Sequence, residues 1–97
     1  MKNIPNLTLD TRVSACEGVL MQELEGESVL LNLSSGIYFG LDEVGTRIWK
    51  LLEQPLTATS IAVTISNEYD VQFDRCAREV LVLIEDMSKA NLITTKK

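Results

Sequence analysis

The chain has 97 residues, 45% of them apolar, which fits one domain with its own hydrophobic core. Its net charge of −5 argues against a nucleic-acid partner, and the lack of histidine removes the commonest general base and metal ligand. Because no apolar run nears the ~20 residues of a membrane span and no signal-peptide segment begins the sequence, we expect a cytoplasmic protein without a membrane partner, whose two cysteines are free thiols.

Three short strands are predicted in the first half of the chain, over residues 19–24, 28–33 and 37–41. Gly26 and Gly36 lie in the two connections between them. Connections this short join antiparallel neighbours, so the strands should form an antiparallel meander. If the strand over 37–41 is the last in its sheet, its outer edge carries unpaired backbone groups, which are either a liability or a docking site.

The two ends of the chain give weaker signals. Residues 1–12 alternate only loosely and contain Pro5, so we expect a loose arm there. Residues 13–16 are compatible with a short extended piece. The lysine-rich end, residues 94–97, is expected to fray. These boundaries define a single domain over residues 1–97.

A helical period replaces the strand period after residue 41. The apolar stripe of this first helix comprises Leu41, Val44, Ile48, Leu51 and Leu52. Asp42 is a good N-cap, Glu43 and Arg47 have the spacing of a favourable ion pair, and Pro55 ends the helix. Trp49 flanks the stripe and is expected in the core.

Two further helices are predicted, the first of them from an ambiguous pattern. Ile61, Val63 and Ile65 alternate like a strand, but a helical stripe capped by Thr57 continues to Tyr69, so we favour a helix. The last helix should begin at the cap Asp74 and run to about residue 90, with Asn91 in a left-handed conformation after it. Its predicted core stripe comprises Phe73, Cys76 or Ala77, Val80, Leu83, Ile84 and Met87.

The predicted order makes this an α+β protein, with a three-stranded antiparallel sheet followed by three helices. A winged arrangement of this kind can bind DNA through its third helix. Residues 74–89, however, contain three basic and four acidic side chains, a net charge of 3 − 4 = −1, whereas a recognition helix is normally basic. Serines without a histidine have no base to activate them, so nothing indicates an enzyme, a cofactor or a metal site.

The third helix has two apolar residues off its core stripe, Leu81 and Val82. One or two exposed aliphatic residues are ordinary on a small domain. The alternative is a groove wall that receives a peptide with apolar anchors and polar flanks. One flank of the helix carries Arg75, Glu79, Val82 and Asp86, and the other carries Arg78, Leu81 and Glu85.

Several segments together resemble the PqqD-like family. They are residues 36–52 (GIYFGLDEVGTRIWKLL), 68–71 (EYDV), 74–76 (DRC), 79–80 (EV) and 91–93 (NLI). This family comprises the peptide chaperone of pyrroloquinoline quinone biosynthesis and related recognition elements for ribosomally made, modified peptides (RiPPs). The sequence looks closest to the small stand-alone proteins of lasso peptide pathways. It has Glu79 where the family often has aspartate, and Asn91 where it often has glycine.

The resemblance implies a winged helix-turn-helix-like fold that does not bind DNA. It further implies that the leader of a precursor peptide adds as a strand beside residues 37–41 and lies in a cleft against the third helix. The protein would then present the precursor to a leader peptidase or modifying enzyme. The site residues that the resemblance implies are Ile37, Tyr38, Phe39, Gly40 and Leu41 on the strand, and Arg75, Arg78, Glu79, Val82 and Asp86 on the helix.

Alternative functions remain open at this point. One is the chaperone role in quinone biosynthesis, and another is a transcription regulator of winged-helix type, which the charge sum disfavours. A third is a structural module, in which the open strand pairs with a second copy and buries the proposed site. We expect a monomer, with a homodimer as the alternative.

Overall fold

The computed structural model describes residues 7–96, so residues 1–6 of the expected N-terminal arm and Lys97 lie outside the described part. The elements are β1 (Arg12–Ala15), β2 (Val19–Leu24), β3 (Glu27–Asn32), β4 (Ile37–Leu41), α1 (Glu43–Leu51), β5 (Leu56–Thr57), α2 (Ala58–Tyr69), α3 (Phe73–Lys89) and β6 (Ile93–Lys96). The α+β class, with an antiparallel meander followed by three helices, is confirmed.

The meander has the order β2-β3-β4, and its strands pair antiparallel throughout. Leu30, at the centre of β3, faces Met21 on one side and Phe39 on the other. The residues of β3 alternate sharply in burial: Ser28, Leu30 and Asn32 are buried, whereas Val29 is exposed. The helices therefore cover the face that carries Leu30, which the sequence pattern had left undecided.

A second sheet, with the order β5-β1-β6, was missed by the sequence prediction. The tail over residues 94–97 was expected to fray, but residues 93–96 form β6 and pair with β1 from Ala15↔Ile93 to Arg12↔Lys96. The pairing gives the backbone groups of this segment partners that a free tail would lack. β1 begins one residue before the predicted extended piece over residues 13–16 and lies between β5, which precedes α2, and β6, which follows α3.

The first two helices begin where the sequence predicted. The Asp42 side chain accepts a hydrogen bond from Gly45 N at 2.8 Å, and Thr57 accepts one from Ser60 N at 3.1 Å. Trp49 is buried, as expected. The predicted Glu43–Arg47 pair is wrong: Arg47 donates two hydrogen bonds to Glu68 of α2, because the bidentate carboxylate geometry suits a guanidinium better.

The third helix starts earlier than predicted. Its N-cap is Gln72, which makes no side-chain cap bond, so Asp74 is not the cap but lies in the first turn, where its charge suits the helix dipole. Phe73, predicted in the core, is 37% exposed because it opens the helix at the surface. The rest of the predicted stripe is correct: Cys76, Ala77, Val80, Ile84 and Met87 are buried and Leu83 is half-buried.

The end of α3 and the two thiols agree with the predictions. Asn91 has φ = 59°, the left-handed conformation expected after the helix. Cys76 is a buried free thiol, and Cys16 is a half-buried one. Within residues 7–96, none of the helices is long and apolar enough to cross a membrane.

Candidate functional site

β4 is an edge strand of the meander, since among residues 7–96 it pairs with β3 alone. In an antiparallel pair, alternate residues direct their N–H and C=O groups to the partner, so the intervening residues of β4 direct theirs outward. The five-residue strand therefore offers a short row of backbone donors and acceptors to an added strand. The position of β4 at the edge meets the condition set in the sequence analysis, under which its outer backbone groups are either a liability or a docking site.

A cleft lies among α1, α2 and α3 and reaches Asp42, the residue directly after β4. It contains a cavity of about 280 Å³. Its walls are mostly apolar, with one thiol and two carboxylates, and comprise Asp42, Val44, Gly45, Ile48, Ile65, Tyr69, Val71, Cys76, Glu79, Val80 and Leu83. Several of these apolar side chains are only half-buried, so a ligand in the cleft could bury its own apolar groups against them without a change of fold.

β4 and α3 run past each other in opposite directions. At one end Asp42, directly after β4, and Glu79, in the first half of α3, line the same cavity. At the other end Asn32, the register partner of Ile37, donates a hydrogen bond to the carbonyl of Asn91 just after α3. A strand added beside β4 would thus have α3 along its length.

The five predicted residues of β4 divide between the two faces of the sheet. Ile37, Phe39 and Leu41 share the face with Leu30 that the helices cover, and their burial increases along the strand, from Ile37 at 55% exposed to Leu41 at 6%. Tyr38 and Gly40 point to the opposite face, where Tyr38 is 69% exposed. None of the five lines the cavity itself. The first set lies on the helix-covered side of the β4 edge, and the second set would act through the backbone or through outward contacts.

The five predicted residues of α3 also occupy different positions around the helix. Glu79 lines the cavity, and Val82 and Asp86 follow it three and seven residues later on the same side. The guanidinium of Arg75 lies 3.3 Å from the Glu79 carboxylate, with both side chains exposed. Arg78 lies about 140° around the helix from Leu83, which lines the cavity, and so points away from it.

Several cavity residues were not predicted as site residues. Cys76, Val80 and Leu83 belong to the apolar stripe of α3 and were assigned to the core, and Val44 and Tyr69 were assigned in the same way to α1 and α2. A residue that lines a cleft and one that is fully covered carry the same helical spacing. The one available signal was the breadth of the α3 stripe, which exceeds what one packing partner covers.

The electrostatics of the cleft are acidic. Burial, followed by the nearby Glu79 carboxylate, raises the pKa of the Cys76 thiol, which therefore stays neutral and packs as a small apolar group. The Cys76 sulfur also donates to the carbonyl of Ala62 at 3.6 Å. In the part of the chain from residue 7 to 96, no group of three or more carboxylate or thiol side chains is placed to hold a metal ion.

The outer face of the meander is a second exposed apolar surface. Leu20 and Leu24 of β2, Val29 of β3 and Tyr38 of β4 are all exposed there. A shallow depression between them also includes Leu31. This outer face is continuous with the β4 edge through Tyr38 but lies on the opposite side of the sheet from the cleft.

Comparisons with known proteins identify the fold and the family. The model of the family described as coenzyme PQQ synthesis protein D (PqqD) matches residues 27–93. The solved structure of TbiB1 in complex with the TbiA(beta) leader peptide is 34% identical, with a TM-score of 0.76 over 82% of this chain and 93% of that one. A search of curated proteins found no match.

Two more distant structures share the fold. Lasso peptide synthetase B1 complexed with the leader peptide is 18% identical, with a TM-score of 0.73 over 84% of this chain and 96% of that one. The PqqD truncation of Methylobacterium extorquens PqqCD, a stand-alone RiPP recognition element, is 19% identical, with a TM-score of 0.77 over 91% and 94%. The residues matched by the family model span β3, β4 and all three helices, and the chain therefore belongs to the PqqD family.

Proposed function

We propose that this protein is a non-catalytic adaptor that binds the leader of a ribosomally made precursor peptide as a strand added to β4. The observation that carries the proposal is the edge position of β4, whose end at Asp42 adjoins an apolar cleft lined by the three helices. The 34%-identical TbiB1 was solved with a leader peptide, which supports the same class of ligand. The lasso peptide pathway is the favoured setting, because the sequence resembles the small stand-alone proteins of such pathways and because lasso peptide synthetase B1, which shares the fold, was also solved with a leader peptide.

The energetics divide the work between backbone and side chains. A strand paired with β4 gains a few backbone hydrogen bonds, each worth about 0.5–1.5 kcal/mol net, and these discriminate little between sequences. One large apolar leader side chain buried in the cleft adds about 1.5–3 kcal/mol. Selectivity for a leader therefore comes from the cleft, and we expect apolar anchors spaced two residues apart in the leader.

The proposed contacts follow from the placement of the predicted residues. Ile37, Phe39 and Leu41 would pack against the inward side chains of the leader, and Tyr38 and Gly40 would contribute backbone pairing. Val82 would supply an apolar contact at the outer rim of α3, while Arg75, Glu79 and Asp86 would meet polar leader residues. Arg78 is the least favourably placed of the set.

The adaptor would act in the cytoplasm and present the bound precursor to a leader peptidase. A protein without histidine is poorly equipped to cleave the leader itself, so the chemistry is assigned to the partner. Nucleic acid is not expected to bind, because α3 is acidic overall. A low-salt mobility-shift assay with duplex DNA should show no complex.

A second candidate is the peptide chaperone of quinone biosynthesis, which the description of the matching family model favours. Both candidates use the same edge and cleft and differ in the precursor. Titration with the precursor of each pathway separates them, since the true leader should bind at least tenfold more tightly, a difference of about 1.4 kcal/mol.

The decisive experiment is fluorescence anisotropy of a labelled leader titrated with the protein. The probes are the leader of the precursor encoded beside this chain, the TbiA(beta) leader and a scrambled version of each. Saturable binding of an unscrambled leader alone supports the adaptor. If neither leader binds, with or without the neighbouring peptidase, the proposal is overturned.

A matched pair of variants locates the site. Val82→Asp places a charge at the proposed rim of the cleft, and Val63→Asp makes the same change at another exposed valine, on α2. We expect Val82→Asp to weaken binding about tenfold or more, through loss of apolar contact and a charge desolvated without a partner. Val63→Asp should bind like the parent. Equal affinities for both variants and the parent would move the site away from this rim.

A further inference from the structure

Asn32, the last residue of β3, is 7% exposed and forms hydrogen bonds through both the oxygen and the nitrogen of its side-chain amide. Its Oδ1 accepts hydrogen bonds from the backbone N–H groups of Ser34, at 2.9 Å, and Ser35, at 3.1 Å. Its Nδ2 donates to the backbone carbonyl of Asn91 at 2.8 Å. One buried side chain thus joins two segments that are far apart in sequence.

These segments are the neighbouring ends of the two cleft walls. Ser34 and Ser35 form the turn that leads into β4 at Ile37. Asn91 follows α3, where its N–H bonds to Ser88 O at 3.1 Å and Leu92 N bonds to Met87 O at 2.9 Å. These two bonds form the Schellman pattern, which fixes the orientation of the Asn91 carbonyl. Asn32 therefore connects the start of β4 to a rigid helix end.

The β4 side chain at this end contributes less apolar packing than the one at the opposite end. Ile37 is 55% exposed, whereas Leu41, at the opposite end of β4, is 6% exposed. Across residues 7–96, the Asn32–Asn91 bond is the single hydrogen bond that joins the meander to α3 or to the turn that ends it. The bond is therefore the direct polar link between the start of β4 and the end of α3.

We propose that Asn32 is a positioning residue for the leader, one that sets the distance between β4 and the C-terminal end of α3. The inference rests on the proposed function. An added strand lies about 4.8 Å from β4, and its inward side chains must then reach α3. A gap of about 0.5–1 Å already loses a quarter to a half of the van der Waals attraction. A small movement of α3 away from β4 would therefore weaken leader binding.

Asn32→Asp tests the bond to Asn91 selectively. The carboxylate keeps the acceptor for Ser34 and Ser35 but replaces the donor with an oxygen that the Asn91 carbonyl repels. We expect the leader to bind about three- to tenfold more weakly, because the loss of one hydrogen bond lets the end of α3 move relative to β4. Asn32→Ser is the second variant, since the serine hydroxyl can still accept a hydrogen bond from the turn but the side chain is too short to reach the Asn91 carbonyl.

Thr59→Val is the control for a general loss of stability. The Thr59 hydroxyl donates to the carbonyl of Leu9 at 2.9 Å, away from the cleft, and valine has the same shape without the donor. All variants are titrated at a temperature at which thermal melts show each to be fully folded. Thr59→Val should then bind the leader like the parent, although its melting temperature falls.

A double-mutant cycle gives a readout that a purely structural role would not change. If Asn32 acts by holding α3 near the leader, Val82→Ala should cost less affinity in the Asn32→Asp background than in the parent. Parent-like affinity of both folded Asn32 variants, or additive effects in the cycle, would overturn the inference while the adaptor stands. Failure of the parent itself to bind any leader would overturn both.

Discussion

Gly45 lies in the first turn of α1, close to the end of β4. There is no room at this position for a side chain larger than hydrogen. A Cβ at this position would sit 3.0 Å from Leu41 Cδ2 and 3.3 Å from Asp42 Oδ1. The Gly45 N–H donates to the same Asp42 oxygen. Glycine therefore lets Leu41 close over the helix while the cap is kept, and it leaves the cleft cavity open beside it.

Gly45→Ala should lower stability although alanine favours a helix. Overpacking costs about 1–3 kcal/mol, and the better helix propensity returns about 1 kcal/mol. We expect a net loss of about 1 kcal/mol in urea unfolding, together with weaker leader binding because Leu41 shifts. Gly40→Ala, where a Cβ meets nothing within 4 Å, is the matched control for stability. A Gly45→Ala protein as stable as the parent would contradict this reading of the contact.

The Cys76 thiol should make stability fall at alkaline pH. Burial and the Glu79 carboxylate raise its pKa in the folded chain, so the unfolded chain loses the proton first as pH rises. The free energy of unfolding is then unaffected below the ordinary thiol pKa of about 8.5 and declines from there through the raised folded pKa. Urea titrations at pH 7 to 10 should show a shallower decline for Cys76→Ala, and an identical slope would contradict the shift.

At the scale of the element, β4 works through its backbone. Backbone pairing is best tested by changing the leader, because a proline placed in β4 would also break the pairing of β4 with β3. N-methylation of successive leader residues should weaken binding at alternate positions only, because every second N–H points to β4. We expect about a threefold to tenfold loss at each sensitive position. Anisotropy competition measures this, and a loss without period two would rule out strand addition.

The elements differ in how far local sequence determines them. α1 and α2 begin at caps that bond to a residue three positions later, so Asp42 and Thr57 could be recognised from sequence. β6 could not, because its pairing with β1 joins residues about eighty positions apart and neither strand has a strong pattern of its own.

The candidate site also combines features that neighbouring residues predict with features that depend on contacts between distant residues. The strand from Ile37 to Leu41 and its open edge follow from two short turns. Leu83 was assigned to the core but is half-buried and lines the cavity, because helical spacing shows that a residue faces inward but not how completely another element covers it. The bond from Asn32 to Asn91 spans 59 positions and joins a side chain to a backbone carbonyl, which leaves no trace in the sequence.

At the scale of the whole molecule, two surfaces are candidates for contact with a second copy of the chain. One is the β4 edge, and the other is the outer face of the meander around Leu20, Val29 and Tyr38. The net charge of −5 opposes self-association at either surface, and the Glu25 and Glu27 carboxylates add to this at the hairpin between β2 and β3. A monomer leaves the edge free for the leader.

We therefore expect a monomer of 10.8 kDa in light scattering after size exclusion, which gains only the mass of the leader when it binds. A dimer formed through β4 would instead dissociate on leader addition, because both ligands need the same backbone groups. A dimer formed through the outer face would persist with leader bound and separate when Leu24→Glu places a charge in the contact. Either dimer would contradict the monomer, but only the first would make the leader compete with self-association and so reduce its apparent affinity at high protein concentration.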